Sequence, residues 1–134
     1  MNHPQTRAEA LYKWSCLAQC YLYCAGFTNI SDGQMLKMVS DAMDQGLLDE
    51  ECTVKSGAYL MQFFTGKKYF VDKQKITSIE NIKNPTPVFY GLNGKDGHAV
   101  VVENGKIVFN PLSYSKNVME GKPTSARFIT LTNG

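Results

Sequence analysis

The spacing of apolar and polar positions changes character half-way along the chain. In the first half apolar residues recur at helical intervals, whereas from Lys67 onward they fall in short runs set between turns. Thr6, with Glu9 three residues on, forms a capping box after Pro4. A helix is predicted to start at Thr6, and it can run as far as Ala25, where Gly26 stops it. Ser31 and Gln34 repeat the box, with Ile30 and Met35 placed as a hydrophobic staple. Met35, Met38, Val39, Ala42 and Met43 then share one helical face up to Gly46. A third, shorter helix is predicted from Ser56 through Phe64, closed by Gly66.

The second half reads as strands. Tyr69-Phe70-Val71 is a short apolar run, Pro85 and Pro87 precede Val88-Phe89-Tyr90, and a polar, glycine-rich turn occupies Gly91 to Gly97. His98 to Val102 and Lys106 to Phe109 flank Glu103-Asn104-Gly105, the strongest hairpin signal in the chain. Residues 111 to 126 are expected to form a loop, and Arg127 to Leu131 a last strand. Helices first and strands after give an α+β expectation, with N-terminal helices packed on a C-terminal antiparallel β-sheet in one domain spanning residues 1–134. There is no internal repeat, low-complexity tract or linker.

Composition narrows the function classes. A length of 134 residues suits one cored domain, and 43% hydrophobic with 19% charged residues is the balance of a folded protein. Fourteen Lys plus Arg against twelve Asp plus Glu leave a formal charge of only +2. With no basic run either, nucleic acid is not an expected partner. No stretch approaches the apolar length of a membrane span, so no membrane partner is expected. The N-terminus, MNHPQTRAEALYK, lacks the apolar core of a signal peptide, which points to the cytoplasm and to reduced thiols. The sequence does not express an oligomeric state.

Reduced thiols make the four cysteines, Cys16, Cys20, Cys24 and Cys52, the residues to explain. The first three are four apart and share a face of one continuous helix. As small apolar residues they fit a core, which is the reading for Cys20, Cys24 and Cys52. Successive i, i+4 thiols with only two histidines in the chain make a poor tetrahedral set, and no metal or other cofactor is expected. Cys16 has a further reading as a nucleophile. It follows Ser15, a good N-cap residue, and a helix restarting there would put Cys16 in its first turn, where backbone N–H groups favour the thiolate. One unbroken helix from Thr6 would instead leave Cys16 in mid-helix. Both courses are open to the sequence.

Of the two histidines, His3 lies in the terminal segment and carries little. His98 opens the first hairpin strand just after Lys95-Asp96-Gly97, a place where a base is held by sheet beside a loop. Asn110 ends the returning strand and could orient the ring. Register decides whether it does. A three-residue loop with Gly105 in the left-handed region pairs His98 with Asn110 on one face. It leaves Ala99, Val101, Ile107 and Phe109 on an apolar opposite face. A two-residue Asn104-Gly105 loop turns the two side chains to opposite faces. The first register gives the cleaner apolar face and is the preferred one.

The order Cys, His, Asn, with the helical half before the stranded half, resembles the papain-like cysteine peptidases. Within them it is most similar to the compact bacterial branch of bacteriocin-leader-processing peptidases and their relatives. The residues that carry the likeness are Cys16-Leu-Ala-Gln, Ala25-Gly26, Gly97-His98-Ala-Val-Val-Val102 and Ile107-Val-Phe-Asn110-Pro111, spanning roughly residues 14 to 112. The resemblance implies a papain-like fold of bacterial or phage-like character, with Cys16 as nucleophile, His98 as base and Asn110 as orienting residue. The implied activity is a thiol hydrolase that cleaves a peptide or other amide bond. Ala10 stands six positions before the cysteine, where the family usually has an oxyanion-hole Gln, and Leu17 stands where a glycine often follows the cysteine. Such a donor is worth about 2.7–4 kcal/mol in comparable acyl-transfer sites. The alternative reading is therefore a catalytically inactive papain-like domain that binds a peptide or protein partner.

Overall fold

The computed structural model describes residues 6–111, 118 and 120–132. Four helices come first: α1 (Arg7–Trp14), α2 (Cys16–Cys24), α3 (Asp32–Asp44) and α4 (Gly57–Thr65). Five strands follow: β1 (Tyr69–Lys75), β2 (Thr86–Gly91), β3 (His98–Glu103), β4 (Lys106–Phe109) and β5 (Lys122–Leu131). The strands form one antiparallel sheet in the order β1-β5-β2-β3-β4, so the architecture is α+β. Among the described residues no helix is long and apolar enough to cross a membrane.

Local chemistry sets the helix ends. Thr6 Oγ1 accepts from the Glu9 N–H at the start of α1. Ser31 and Gln34 make the full reciprocal box on α3. Ser56 caps α4, and Gly66 ends it in the left-handed conformation at φ 75°. The first long helix does not run unbroken. Ser15 (φ −86°, ψ 13°) interrupts it, and α2 begins at Cys16.

Helix α2 is apolar almost all round because it is enclosed. Tyr21 and Leu22 join the core formed with Val39, Leu60 and Met61 of α3 and α4. Its cysteine row packs on the sheet, with Cys20 fully buried against Ala99 and Val101 of β3, and Cys16 and Cys24 alongside. The opposite face of the sheet carries Val88, Tyr90, Val100, Val102 and Ala126, covered by Ile82 and its neighbours Ile76 and Ile79. The sheet is thus buried on both faces, which is why β3 reads as an uninterrupted apolar run rather than an alternating one.

Two strand expectations are corrected. The expected loop over 111–126 is shorter, because β5 already begins at Lys122; residues 112–117 and 119 of that loop lie outside the described residues. The strand is masked in the sequence by Pro123 and by polar Thr124 and Ser125. Pro123 lies where the β2–β5 register shifts, a position at which a strand tolerates a missing N–H donor. The hairpin loop is also not the preferred three-residue one. Glu103 pairs with Lys106 across Asn104 (φ 53°) and Gly105 (φ 74°), the two positive φ values a type I′ turn requires. That register alone would send His98 and Asn110 to opposite faces. A bulge corrects it: Val102 faces Ile107 but Val101 faces Phe109, so Val108 is the extra residue and the alternation is restored. Ile107 consequently leaves the expected apolar face and is half-exposed, while Phe109 remains on it.

Candidate active site

The site is assembled from the start of α2, the start of β3 and the end of β4. The break at Ser15 makes Cys16 the first residue of α2, although Ser15 does not cap it as expected. Its hydroxyl is fully buried and directed back into α1, donating to the Leu11 carbonyl (2.5 Å) and accepting from Gln19 Nε2 (2.7 Å). The preceding helix leaves that carbonyl to be satisfied, and the hydroxyl is spent on it.

Cys16 lies against β3. Backbone hydrogen bonding from Ala99, Leu17 and Cys16 itself favours the thiolate. Burial acts the other way and prevails, so the Cys16 thiol is raised above its ordinary range and rests protonated. Ala99 is the residue immediately after His98, which fixes the sulfur beside the opening of the histidine strand.

His98 is buried at 8% exposure, and its Nε2 lies 2.7 Å from Asn110 Oδ1. A carbonyl oxygen can only accept, so Nε2–H donates, and in the neutral ring the lone pair is then on Nδ1. The structure therefore joins His98 to Asn110 directly, through the bulge rather than through the expected loop. Cys16 and His98 border one cavity of about 570 Å³, whose walls include Trp14, Leu17, Phe89 and Arg127.

The segment leading into His98 is anchored from behind. Asp96 Oδ1 accepts from Thr124 Oγ1 (2.6 Å) and Ser125 Oγ (2.9 Å), and Oδ2 lies 3.6 Å from Arg127. Burial alone would raise its carboxyl, but these hydrogen bonds, with Arg127 and Lys73, outweigh it and hold Asp96 below its usual value. Arg127 donates to Ser125 Oγ (2.6 Å) and lies over the Phe89 ring at 4.5 Å. Asp96 thus acts on the loop and on β5. Gly91 at the other end of that loop packs so closely that a Cβ there would come 1.5 Å from the Lys95 carbonyl oxygen.

The remaining cysteines are placed as the core reading expects, with one addition. Cys20 and Cys24 pack on β3, and burial raises both thiols, Cys24 to about 12. Cys52 is buried at φ 63° and raised by burial to about 11, yet it also borders the cavity with Cys16. All four are free thiols. Among the described residues no three His, Cys, Asp or Glu side chains converge as a metal set. His3 lies outside the described residues. Gln19, already engaged by Ser15, borders a different groove with Tyr12 and Asn110. Sequence reasoning passed over Arg127 and Phe89, and their only signal is membership of β5 and β2, two central strands whose neighbours are set by topology.

Comparison with known proteins finds no matching family model, no matching curated protein and no matching solved structure.

Proposed function

We propose that this chain is a papain-like thiol hydrolase that cleaves a peptide or other amide bond through Cys16, His98 and Asn110. The observation that carries the reading is the 2.7 Å bond from His98 Nε2–H to Asn110 Oδ1, with His98 in the wall of the same cavity that Cys16 borders. It orients the ring and leaves Nδ1 as the proton acceptor. The fold that suits this reading is a papain-like one, and free thiols suit the cytoplasm.

The chemistry follows from the protonation states. Burial raises Cys16, so its thiol rests protonated. With substrate bound, Nδ1 takes the Cys16 proton while the sulfur attacks the amide carbon. The C–N bond then breaks, and His98 returns the proton to the departing amine, leaving a thioester. Water attacks the thioester with His98 again as base, which releases the acid and restores the thiol. On attack, the backbone N–H of Cys16, which at rest favours its own thiolate, is the donor at hand for the developing oxyanion in place of the side-chain donor that Ala10 lacks.

The raised Cys16 thiol favours the second reading, an inactive papain-like domain that holds a peptide or protein partner in the same cavity. Iodoacetamide labelling at pH 7 with mass mapping separates the two. The hydrolase reading expects Cys16 to label well ahead of Cys20, Cys24 and Cys52, and His98→Ala to remove that lead. Uniformly slow labelling in a chain that still retains peptide carries the binding reading instead.

A further inference from the structure

The cavity at Cys16 adjoins a second groove of about 380 Å³, and the two share Leu17, Val54 and Arg127 in their walls. The groove is also lined by Lys55, Lys73, Tyr21 and Val71, and among the described residues no acidic side chain lines it. Lys55 and Lys73 are exposed, whereas Arg127 is held nearly buried at 12% exposure. Among the described residues the ion pairs of this group all run to Asp96, at 3.6 Å from Arg127 and 4.0 Å from Lys73. Three cations against one carboxylate leave two positive charges in excess at the groove, and in the adjoining Cys16 cavity Lys13 and Glu51 add one charge of each sign, on a chain whose whole formal charge is only +2. Asp96 lines neither cavity, so it holds the guanidinium from behind while the groove side stays positive.

Resting on the thiol-hydrolase reading, we infer that this groove receives an acidic side chain, so that the substrate is a peptide with Asp or Glu close to the scissile amide. Charge complementarity selects the ligand, and Arg127 supplies the fixed part of the recognition. Its planar donor fork is kept in place by Phe89, Ser125 and Asp96, whereas the two lysines adapt from the rim. The shared wall sets the distance, since Arg127 lines both the Cys16 cavity and the groove and a peptide seated on Cys16 and His98 needs only a neighbouring side chain to reach it. A lysine or arginine at that place would meet three like charges.

The test uses the intact chain and two matched pools of random octapeptides, blocked at both ends, one with Glu and one with Gln fixed at a central position. Cleavage products are read by mass spectrometry, and in parallel Cys16→Ala is titrated with each pool labelled with fluorescein. The expected result is a preference on the order of tenfold for the Glu pool, in cleavage and in binding. That preference should fall as salt is raised to 0.5 M and disappear in Lys55→Glu/Lys73→Glu, two surface changes that leave the core untouched. Equal cleavage of both pools overturns the acidic preference while leaving the hydrolase reading intact. Equal binding by Cys16→Ala overturns it even where neither pool is cut. Loss of the His98-dependent labelling of Cys16 defeats the hydrolase reading itself, whichever pool is bound.

Discussion

Replacing Asn110 with Ala strips the His98 Nε2–H of the acceptor it holds at 2.7 Å, inside a site where the ring is almost fully buried. A buried donor left unpaired costs about 1–3 kcal/mol. Urea denaturation of Asn110→Ala should show a loss in that range, together with a fall in the alkylation rate of Cys16 as the ring loses its orientation. The cysteines also make stability depend on alkaline pH. Burial raises Cys52 to about 11 and Cys24 to about 12, so the folded state prefers both thiols neutral. Below about pH 8.5, the ordinary thiol value, both are protonated folded or unfolded, and their contribution is fully present. It is lost as pH rises from there through the folded values, because only the unfolded chain ionises freely. The urea midpoint is expected to be level from pH 6 to 8 and to fall above pH 9, more steeply than in a Cys24→Ala/Cys52→Ala chain. Equal slopes in the two chains would refute this.

Elements place these residues by breaking regularity. Helix α2 starts where the first helix fails at Ser15, β4 bulges at Val108, and β5 shifts register beside Pro123. Each irregularity serves the site: the first puts Cys16 at a helix start, and the second returns Asn110 to the side of His98. The third sets Thr124 against the Phe89 carbonyl and Asp96. The loop from Gly91 to Gly97 is the element that delivers His98 to β3, and Gly97 N–H is bonded back to the Tyr90 carbonyl at 3.0 Å. Gly91→Ala drives a methyl into the Lys95 backbone, where no flexible side chain can yield. Its expected cost is about 1–3 kcal/mol by overpacking. Because the displacement falls on the loop, Cys16 labelling should slow as well, which thermal melts and alkylation rates would report together. A variant with native stability and native labelling would show that the loop does not hold His98.

At the scale of the whole molecule, a two-faced sheet lies between a helical layer and the segment around Ile82. Leu22 and Leu60 are fully buried at the centre of the helical layer. Either substitution to Ala leaves a cavity, with an expected loss of about 2–5 kcal/mol in unfolding free energy, read as a lower denaturation midpoint. The denaturant slope should be unchanged, as the surface exposed on unfolding stays nearly the same. Charge follows the same economy of scale. The chain is close to neutral overall, yet Lys55, Lys73 and Arg127 converge on one groove from a loop and two strands. Net charge therefore argues against a polyanion partner while allowing a local preference for an acidic side chain.

The helical half was legible residue by residue. Thr6, Ser31 and Ser56 at the starts and Gly66 at an end act within a few residues of themselves, and so does the Asn104-Gly105 turn. Such contacts are formed by any chain with those neighbours, so the sequence by itself determined the helix starts, the presence of a hairpin and the α+β order. It leaves the break at Ser15 open and prefers a three-residue loop to the two-residue one observed. It also singled out Cys16, His98 and Asn110. What only the tertiary structure decided is non-local. The place of β5 between β1 and β2, the stacking of Arg127 on Phe89 and the meeting of Cys16 with Ala99 join residues 31 to 83 positions apart, and the bulge at Val108 depends on the same packing. Burial of the sheet on both faces selects those pairings, and no short window of sequence contains the surface they bury.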